Sequence, residues 1–254
     1  MNSERIGDLA RSLDVAWTKA YAIPAPTTIE PALSVTEAYA IQGQIIAQRV
    51  SMGRRVAGWK LGLTSADPPT TPIVGTLLDD MVIPSGSVLS TSTMVGPMVE
   101  AEFVVELGET LHSTASVTDL QRGPHLVGPG IEVIDYRTTG SQGPIDWIAD
   151  NSTVAYAVVG DLVPVGEVDP IRVETALTRD GTHLAKGRGD KVMGNPLAAV
   201  AWLSGFLLER GEPLRAGEVV LTGSLTGHHP VPEGESSFEA DFGDLGTVSV
   251  SFHA

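Results

Sequence analysis

From Val56 onward the apolar residues come in short runs: Met98 to Leu107, Ile131 to Tyr136, Val154 to Val159, Ile171 to Thr178, Glu218 to Thr222 and Thr247 to Phe252. Runs of this length, alternating or continuously apolar and bounded by turn residues, read as strands. Glycine and proline support that reading. The 28 glycines and 17 prolines are about 18% of 254 residues, against roughly 12% in an average chain, and they follow no period, so they act as turns. Asp180-Gly181 marks a hairpin.

Ahead of Val56 the period changes. Ile6, Leu9 and Leu13 form one helical stripe between Ser3 and about Ala20, and a connection through Pro24, Pro26 and Pro31 follows. Ser34-Val35-Thr36-Glu37 fits a capping box, with Ala38, Ile41 and Ile45 on one face until Gly53 ends the helix. A later helix has Asn195 as N-cap, Pro196 in its first turn, Val200, Leu203 and Leu207 as its buried stripe, and Gly211 as its stop. The pattern predicts an α+β chain: a helical N-terminal part, 1–55, packed on a β-rich body, 56–254, in one structural domain.

Composition narrows the function. Sixteen Lys and Arg against 31 Asp and Glu give a net charge of −15. Nucleic-acid phosphate and an anionic membrane surface are therefore disfavoured, since both need clustered cations. Without cysteine there is no disulfide, zinc-thiolate site or cysteine nucleophile. The N-terminal residues do not read as a secretory signal, and the apolar stretch Pro196 to Leu208 is too short to span a bilayer, so a soluble cytoplasmic protein is expected.

The chemistry-bearing residues are acidic. In Val99-Glu100-Ala101-Glu102-Phe103 the two glutamates are two residues apart, so a strand projects them from one face of an otherwise buried segment. Such a pair is either a solvated strand face or the partner of a cation. Glu132 adds a third carboxylate in the apolar run after Gly128-Pro129-Gly130, which reads as a turn. Three carboxylates make a hard, all-oxygen site suited to Mg²⁺ or Mn²⁺. Lys60, between glycines and apolar residues, is either a desolvated lysine of lowered pKa that exchanges protons or a surface lysine. Asp79 and Asp80 form a second acidic pair, which also fits a plain turn before a strand from Met81 to Ile83. The six histidines show no metal-binding spacing, no nucleophile elbow is present, and Gly187-Arg188-Gly189-Asp190-Lys191 lacks the spacing of a phosphate loop.

Seven segments in order carry a resemblance: Gly58-Trp59-Lys60-Leu61-Gly62-Leu63-Thr64, Gly75-Thr76-Leu77-Leu78-Asp79-Asp80-Met81, Val99-Glu100-Ala101-Glu102, Ile131-Glu132-Val133-Ile134-Asp135, Ala149-Asp150-Asn151-Ser152, Met193-Gly194-Asn195-Pro196 and Leu221-Thr222-Gly223-Ser224. Together they resemble the 2-keto-4-pentenoate hydratase and 4-oxalocrotonate decarboxylase family of the fumarylacetoacetate hydrolase superfamily. The resemblance implies a mixed β-sheet roll behind N-terminal helices and a divalent metal, Mg²⁺ or Mn²⁺, on Glu100, Glu102 and Glu132. It implies acid-base work for Lys60 and for an acidic residue of the Asp-Met motif, Asp80 rather than Asp79. Leu63, Asn151, Ser152, Thr222, Gly223 and Ser224 match substrate-lining positions, and plain turn chemistry is the alternative for the last five. Two stretches depart from the family: Ala66 to Val74 is short and proline-rich where an active-site cover is usual, and Arg137 to Asp146 is glycine-rich.

The expected activity is metal-dependent hydration of a 2-hydroxy-2,4-dienoate to a 4-hydroxy-2-oxo acid, as in aromatic meta-cleavage catabolism. Decarboxylation of a 4-oxalocrotonate-type acid uses the same enolate chemistry. Hydrolysis of an acylpyruvate and a non-catalytic subunit complexed with a pathway enzyme are further alternatives. The resemblance also implies a homo-oligomer acting on a small 2-oxo or 2-hydroxy dienoate.

Overall fold

The computed structural model describes residues 3–65, 70–140 and 142–254. Part of the proline-rich cover, 66–69, and one residue of the glycine-rich stretch, 141, thus lie outside the described residues.

The N-terminal part holds helices α1 (Ser3–Lys19), α2 (Pro26–Ile29) and α3 (Val35–Ser51). The capping box forms as its residues require: Glu37 N donates to Ser34 Oγ at 3.3 Å, and Ser34 N donates to Glu37 Oε2 at 2.9 Å. Strands β1 (Val56–Gly62), β2 (Ile73–Leu78), β3 (Val82–Pro84), β4 (Ser87–Ser90) and β5 (Pro97–Glu106) follow. Next come α4 (Val117–Arg122), β6 (Leu126–Asp135), α5 (Pro144–Ala149) and β7 (Val154–Val159). The chain ends with β8 (Glu174–Arg179), β9 (Thr182–Arg188), α6 (Pro196–Leu208), β10 (Val219–Ser224), β11 (Ser236–Asp241) and β12 (Thr247–His253).

The strands form two main sheets. The larger, nine-stranded, runs β2-β1-β10-β5-β6-β7-β3, with the two-residue strands Val163–Pro164 and His229–Pro230 at its side. It is mixed, because β1 and β10 pair in parallel while β5 is antiparallel to both β10 and β6. The smaller sheet runs β9-β8-β11-β12-β4, and Asp180-Gly181, at φ 50° and 74°, turns its β8–β9 hairpin. One core joins the sheets. Phe103 of β5 meets Phe242 edge to face at 5.3 Å between centroids, and Val250, Phe252 and the α6 residues Leu197, Val200 and Leu203 fill the same cluster. The 20 residues Gly189–Leu208 are apolar enough on average to cross a membrane, but only the 13 of α6 are α-helical, short of the ~20 a span needs.

α1, α3 and α5 share a second cluster in which Leu9, Leu13, Ile41 and Ile45 pack against Ile148 and Ile73. The helical part is thereby continuous with the sheet rather than appended to it. One reading is corrected. Gly128-Pro129-Gly130 is not a turn but lies inside β6, where a Cβ at 130 would stand 2.5 Å from Val104 Cγ2 and one at 128 would stand 2.3 Å from Asp161 O. Glycine is there for close packing across the sheet.

Candidate metal centre

Strand alternation sorts β5 into two faces. Val99, Ala101, Phe103 and Val105 enter the aromatic core, and Glu100, Glu102 and Val104 face the other way. Register then assembles the site, because Glu100 lies directly across from Glu132 on β6 while Glu102 pairs with Gly130 on one side and Ser224 of β10 on the other. The result is three carboxylates, each 7% exposed or less, with one oxygen apiece inside 4.8 Å of the others. Like charges directly opposed across strands destabilise a sheet, and burial multiplies the cost. Burial and the mutual repulsion of the trio hold Glu102 well above the ordinary carboxylate range, and burial pushes Glu132 up to about 7 against the opposing pull of Lys60.

Among the described residues, one buried lysine answers them from within. Lys60 of β1, also buried, places Nζ 3.2 Å from Glu132 Oε1 and donates to Ser152 O at 2.9 Å. Burial alone would lower its pKa, as expected for a desolvated lysine, but the charges of Glu132, Glu100 and Glu102 together outweigh burial and raise it. With all three ionised, the trio exceeds Lys60 by two negative charges. Glu102 Oε1 and Glu132 Oε2 are buried without a hydrogen-bond donor. An all-oxygen set with that residual charge fits a hard dication such as Mg²⁺, whose ligand oxygens lie about 3–4 Å apart at bond lengths near 2.1 Å. Glu100, Glu102 and Glu132 are the residues that would hold it.

Two backbone features brace the centre. Gly223, at φ +114°, donates its N–H to Glu102 Oε2 at 2.7 Å, and a Cβ there would lie 1.7 Å from Thr64 Oγ1. Across the site, Asn151, Ser152 and Thr153 are all left-handed, at φ 52°, 51° and 61°. Three non-glycine residues in succession cost about 1–2 kcal/mol each, so other contacts must hold the turn. The Asn151 side chain supplies two, accepting from Thr76 N at 2.8 Å and donating to Thr76 O at 2.9 Å, as a neighbouring strand would. Gly75 permits the approach, since a Cβ there would sit 2.6 Å from Asn151 O.

A cavity of about 270 Å³ opens onto the centre. Lys60, Glu100, Ser152 and Ser224 line its polar side, and Leu63, Ile73, Ile134, Tyr136 and Trp147 its apolar side. Of the residues expected to meet substrate, Leu63, Ser152 and Ser224 reach this cavity. Asn151, Thr222 and Gly223 are buried behind it or braced against the protein, and do not line it. Asp79 and Asp80 do not line it either. They occupy the turn before β3, where Asp80 pairs with Arg54 at 3.0 Å and Asp79 with Arg55 at 3.5 Å, so the plain-turn reading describes their place. Tyr136, Trp147 and His228 were not singled out from sequence. His228 Nδ1 stands 3.7 Å from Glu100 Oε1, and its ring meets Tyr136 edge to face. Histidine spacing gives no hint of this, because His228 arrives from the loop after β10.

Comparison with known proteins places this geometry. The family model described as fumarylacetoacetate (FAA) hydrolase C-terminal matches residues 45–252. The 4-oxalocrotonate decarboxylase of Pseudomonas putida is 31% identical over 99% of this chain and 98% of its own length. The 2-keto-4-pentenoate hydratase of Paraburkholderia xenovorans is 32% identical over 100% and 97%. The solved structure of 4-oxalocrotonate decarboxylase from Pseudomonas putida G7, complexed with magnesium and adipate, superposes with a TM-score of 0.93 at 31% identity, covering 99% of this chain and 98% of that one. With a match spanning most of its length and relatives aligned end to end, this chain belongs to the fumarylacetoacetate hydrolase family, among its 2-keto-4-pentenoate hydratases and 4-oxalocrotonate decarboxylases.

Proposed function

We propose that the protein is a metal-dependent hydro-lyase that adds water across a short 2-hydroxy-2,4-dienoate to give a 4-hydroxy-2-oxo acid. The convergence of Glu100, Glu102 and Glu132 beside Lys60, with Glu100 and Lys60 lining the cavity and the other two buried behind them, carries this reading. Bound by the three glutamates, Mg²⁺ or Mn²⁺ supplies Lewis-acid stabilisation of negative charge developing on the substrate's C2 oxygen.

The chain's own groups supply the rest. Lys60 Nζ is held by Glu132 and the Ser152 carbonyl, and it is the lysine nitrogen at the cavity wall. It moves the proton that converts the 2-hydroxydienoate to the 2-oxo-3-enoate, from the C2 hydroxyl to C5. Water then adds at C4, and a proton returned to C3 completes the 4-hydroxy-2-oxo acid. Leu63, Ile73 and Trp147 seat the hydrocarbon end. That wall also favours a monocarboxylate. The cationic groups of the cavity, Lys60 and His228, already lie beside Glu132 and Glu100, so a distal second carboxylate would meet apolar side chains.

Decarboxylation is the second reading, favoured by the full-length similarity to 4-oxalocrotonate decarboxylase. The assay separates the two. Purified protein with Mg²⁺ is given 2-hydroxypenta-2,4-dienoate and, separately, its 5-carboxy derivative, 2-hydroxyhexa-2,4-dienedioate, and ultraviolet absorbance and released CO₂ are followed. Loss of dienoate absorbance without gas is expected; gas from the dicarboxylate at a comparable rate overturns hydration in favour of decarboxylation. Homo-oligomeric assembly in the cytoplasm belongs to the same proposal, and light scattering of the purified protein tests the assembly.

A further inference from the structure

Among the described residues Arg137 is the bulkiest of the fully buried side chains, and it plays no part in the chemistry described above. It follows β6, five residues after Glu132, in the glycine-rich stretch that departs from the family. Its guanidinium reaches both ends of the left-handed turn. At the entry, Nε donates to Asp150 Oδ1 and Oδ2 at 3.0 and 3.1 Å, and Nη2 donates to Asp150 O at 3.0 Å. At the exit, Nη2 and Nη1 reach Val154 O at 3.4 and 3.5 Å. Asp150 is itself only 1% exposed, and the Trp17 ring of α1 covers the guanidinium at 4.5 Å.

Between those two ends lie the three left-handed residues. The Asn151 side chain is committed to β2 and the Thr153 hydroxyl donates to Ser152 O, so Ser152 O is fixed where Lys60 Nζ donates to it. We infer that Arg137 is a positioning residue: by clamping Asp150 and Val154 it holds the Asn151–Thr153 turn left-handed, and through Ser152 O it aims the Lys60 ammonium into the cavity. The planar fork matters more than the charge, since the contacts to Asp150 and Val154 use three coplanar nitrogens and a lysine offers only one. Glu100, Glu102 and Glu132 are set by the β5–β6 register, in which Arg137 takes no part. The inference takes Lys60 as the proton carrier of the proposed hydration, and one readout below is independent of that.

Two variants test it. Arg137→Lys keeps a cation beside Asp150 but loses the fork. Arg137→Met with Asp150→Val removes the pair together, which spares the fold the cost of a lone buried charge. In either folded variant kcat for the dienoate is expected to fall at least about tenfold, while KM and the Mg²⁺ dissociation constant from calorimetry stay within about twofold. Wild-type kcat in a folded variant, or a Mg²⁺ constant that weakens in step with kcat, overturns the positioning role. A crystal structure of Arg137→Lys supplies the second readout. Separation of Ser152 O from Lys60 Nζ supports the inference, and a contact unchanged from 2.9 Å overturns it. If the wild-type protein leaves dienoates untouched, the proposed hydration fails, and this distance alone decides the role of Arg137.

Discussion

Glu132 is a carboxylate that nothing but a cation accounts for. It is fully buried, it faces Glu100 across the strand pair, and its Oε2 has no hydrogen-bond donor, Lys60 Nζ standing 3.2 Å from Oε1. Substituting a ligand should therefore cost binding more than folding. Glu102→Gln or Glu132→Gln is expected to weaken Mg²⁺ at least about 100-fold by calorimetry, since changes merely adjacent to ligands cost 10–100-fold. Dienoate turnover should disappear while the circular dichroism spectrum stays native; unchanged kinetics would remove that residue from the site. Gly223 predicts the reverse. A methyl group would collide with Thr64 Oγ1 at a φ of +114°, so Gly223→Ala should lose at least about 2 kcal/mol of stability in urea unfolding. The three glutamates and Lys60 were legible in sequence as charges in apolar runs, though a solvated strand face and a surface lysine fit those runs as well and only the resemblance implies their roles. Raised rather than lowered basicity at Lys60 was not, because it depends on carboxylates that only the fold brings near.

At the scale of elements, legibility followed regularity. The run Met98 to Leu107 became β5 displaced by one residue, Asn195 capped α6, and the capping box opened α3, each because a local rule and the tertiary environment agree. Gly128-Pro129-Gly130 misled because a glycine needed for close approach looks like one needed for a turn. The Asn151–Thr153 turn carries no local signal, since its left-handed residues are held by Thr76 and Arg137, distant in the chain or recruited from another strand's end. α5 was missed as well: it is a six-residue helix whose Pro144 lies in the stretch noted only as glycine-rich. The turn holding Asp79 and Asp80 gives a direct test. As half-exposed partners of Arg54 and Arg55 these carboxylates contribute little, so Asp80→Asn should leave kcat within about threefold. A larger loss would restore the acid-base role that the resemblance implies.

For the whole molecule the acidic centre sets a pH dependence. Glu132 goes from an ordinary 4.5 up to about 7 on folding, and Asp150 from 3.8 up to about 6, burial being the chief cause in both. The folded chain thus binds more protons than the unfolded chain between those limits. By linkage, the stability of the metal-free protein falls as pH rises through that window. Mg²⁺ binds the ionised carboxylates and removes Glu132's share of the penalty. Melting temperatures with EDTA and with Mg²⁺ should therefore differ more at pH 8 than at pH 5, and equal differences would refute the linkage. The Trp17 ring has a consequence of another kind. It packs against the guanidinium groups of both Arg49 and Arg137, and the α1–α3 pair shields Ile73 and Ile148. A gene trimmed to the segment that the family model matches would strip that shield from an oily surface and bare a guanidinium, so such a fragment should precipitate on expression rather than yield a smaller working catalyst.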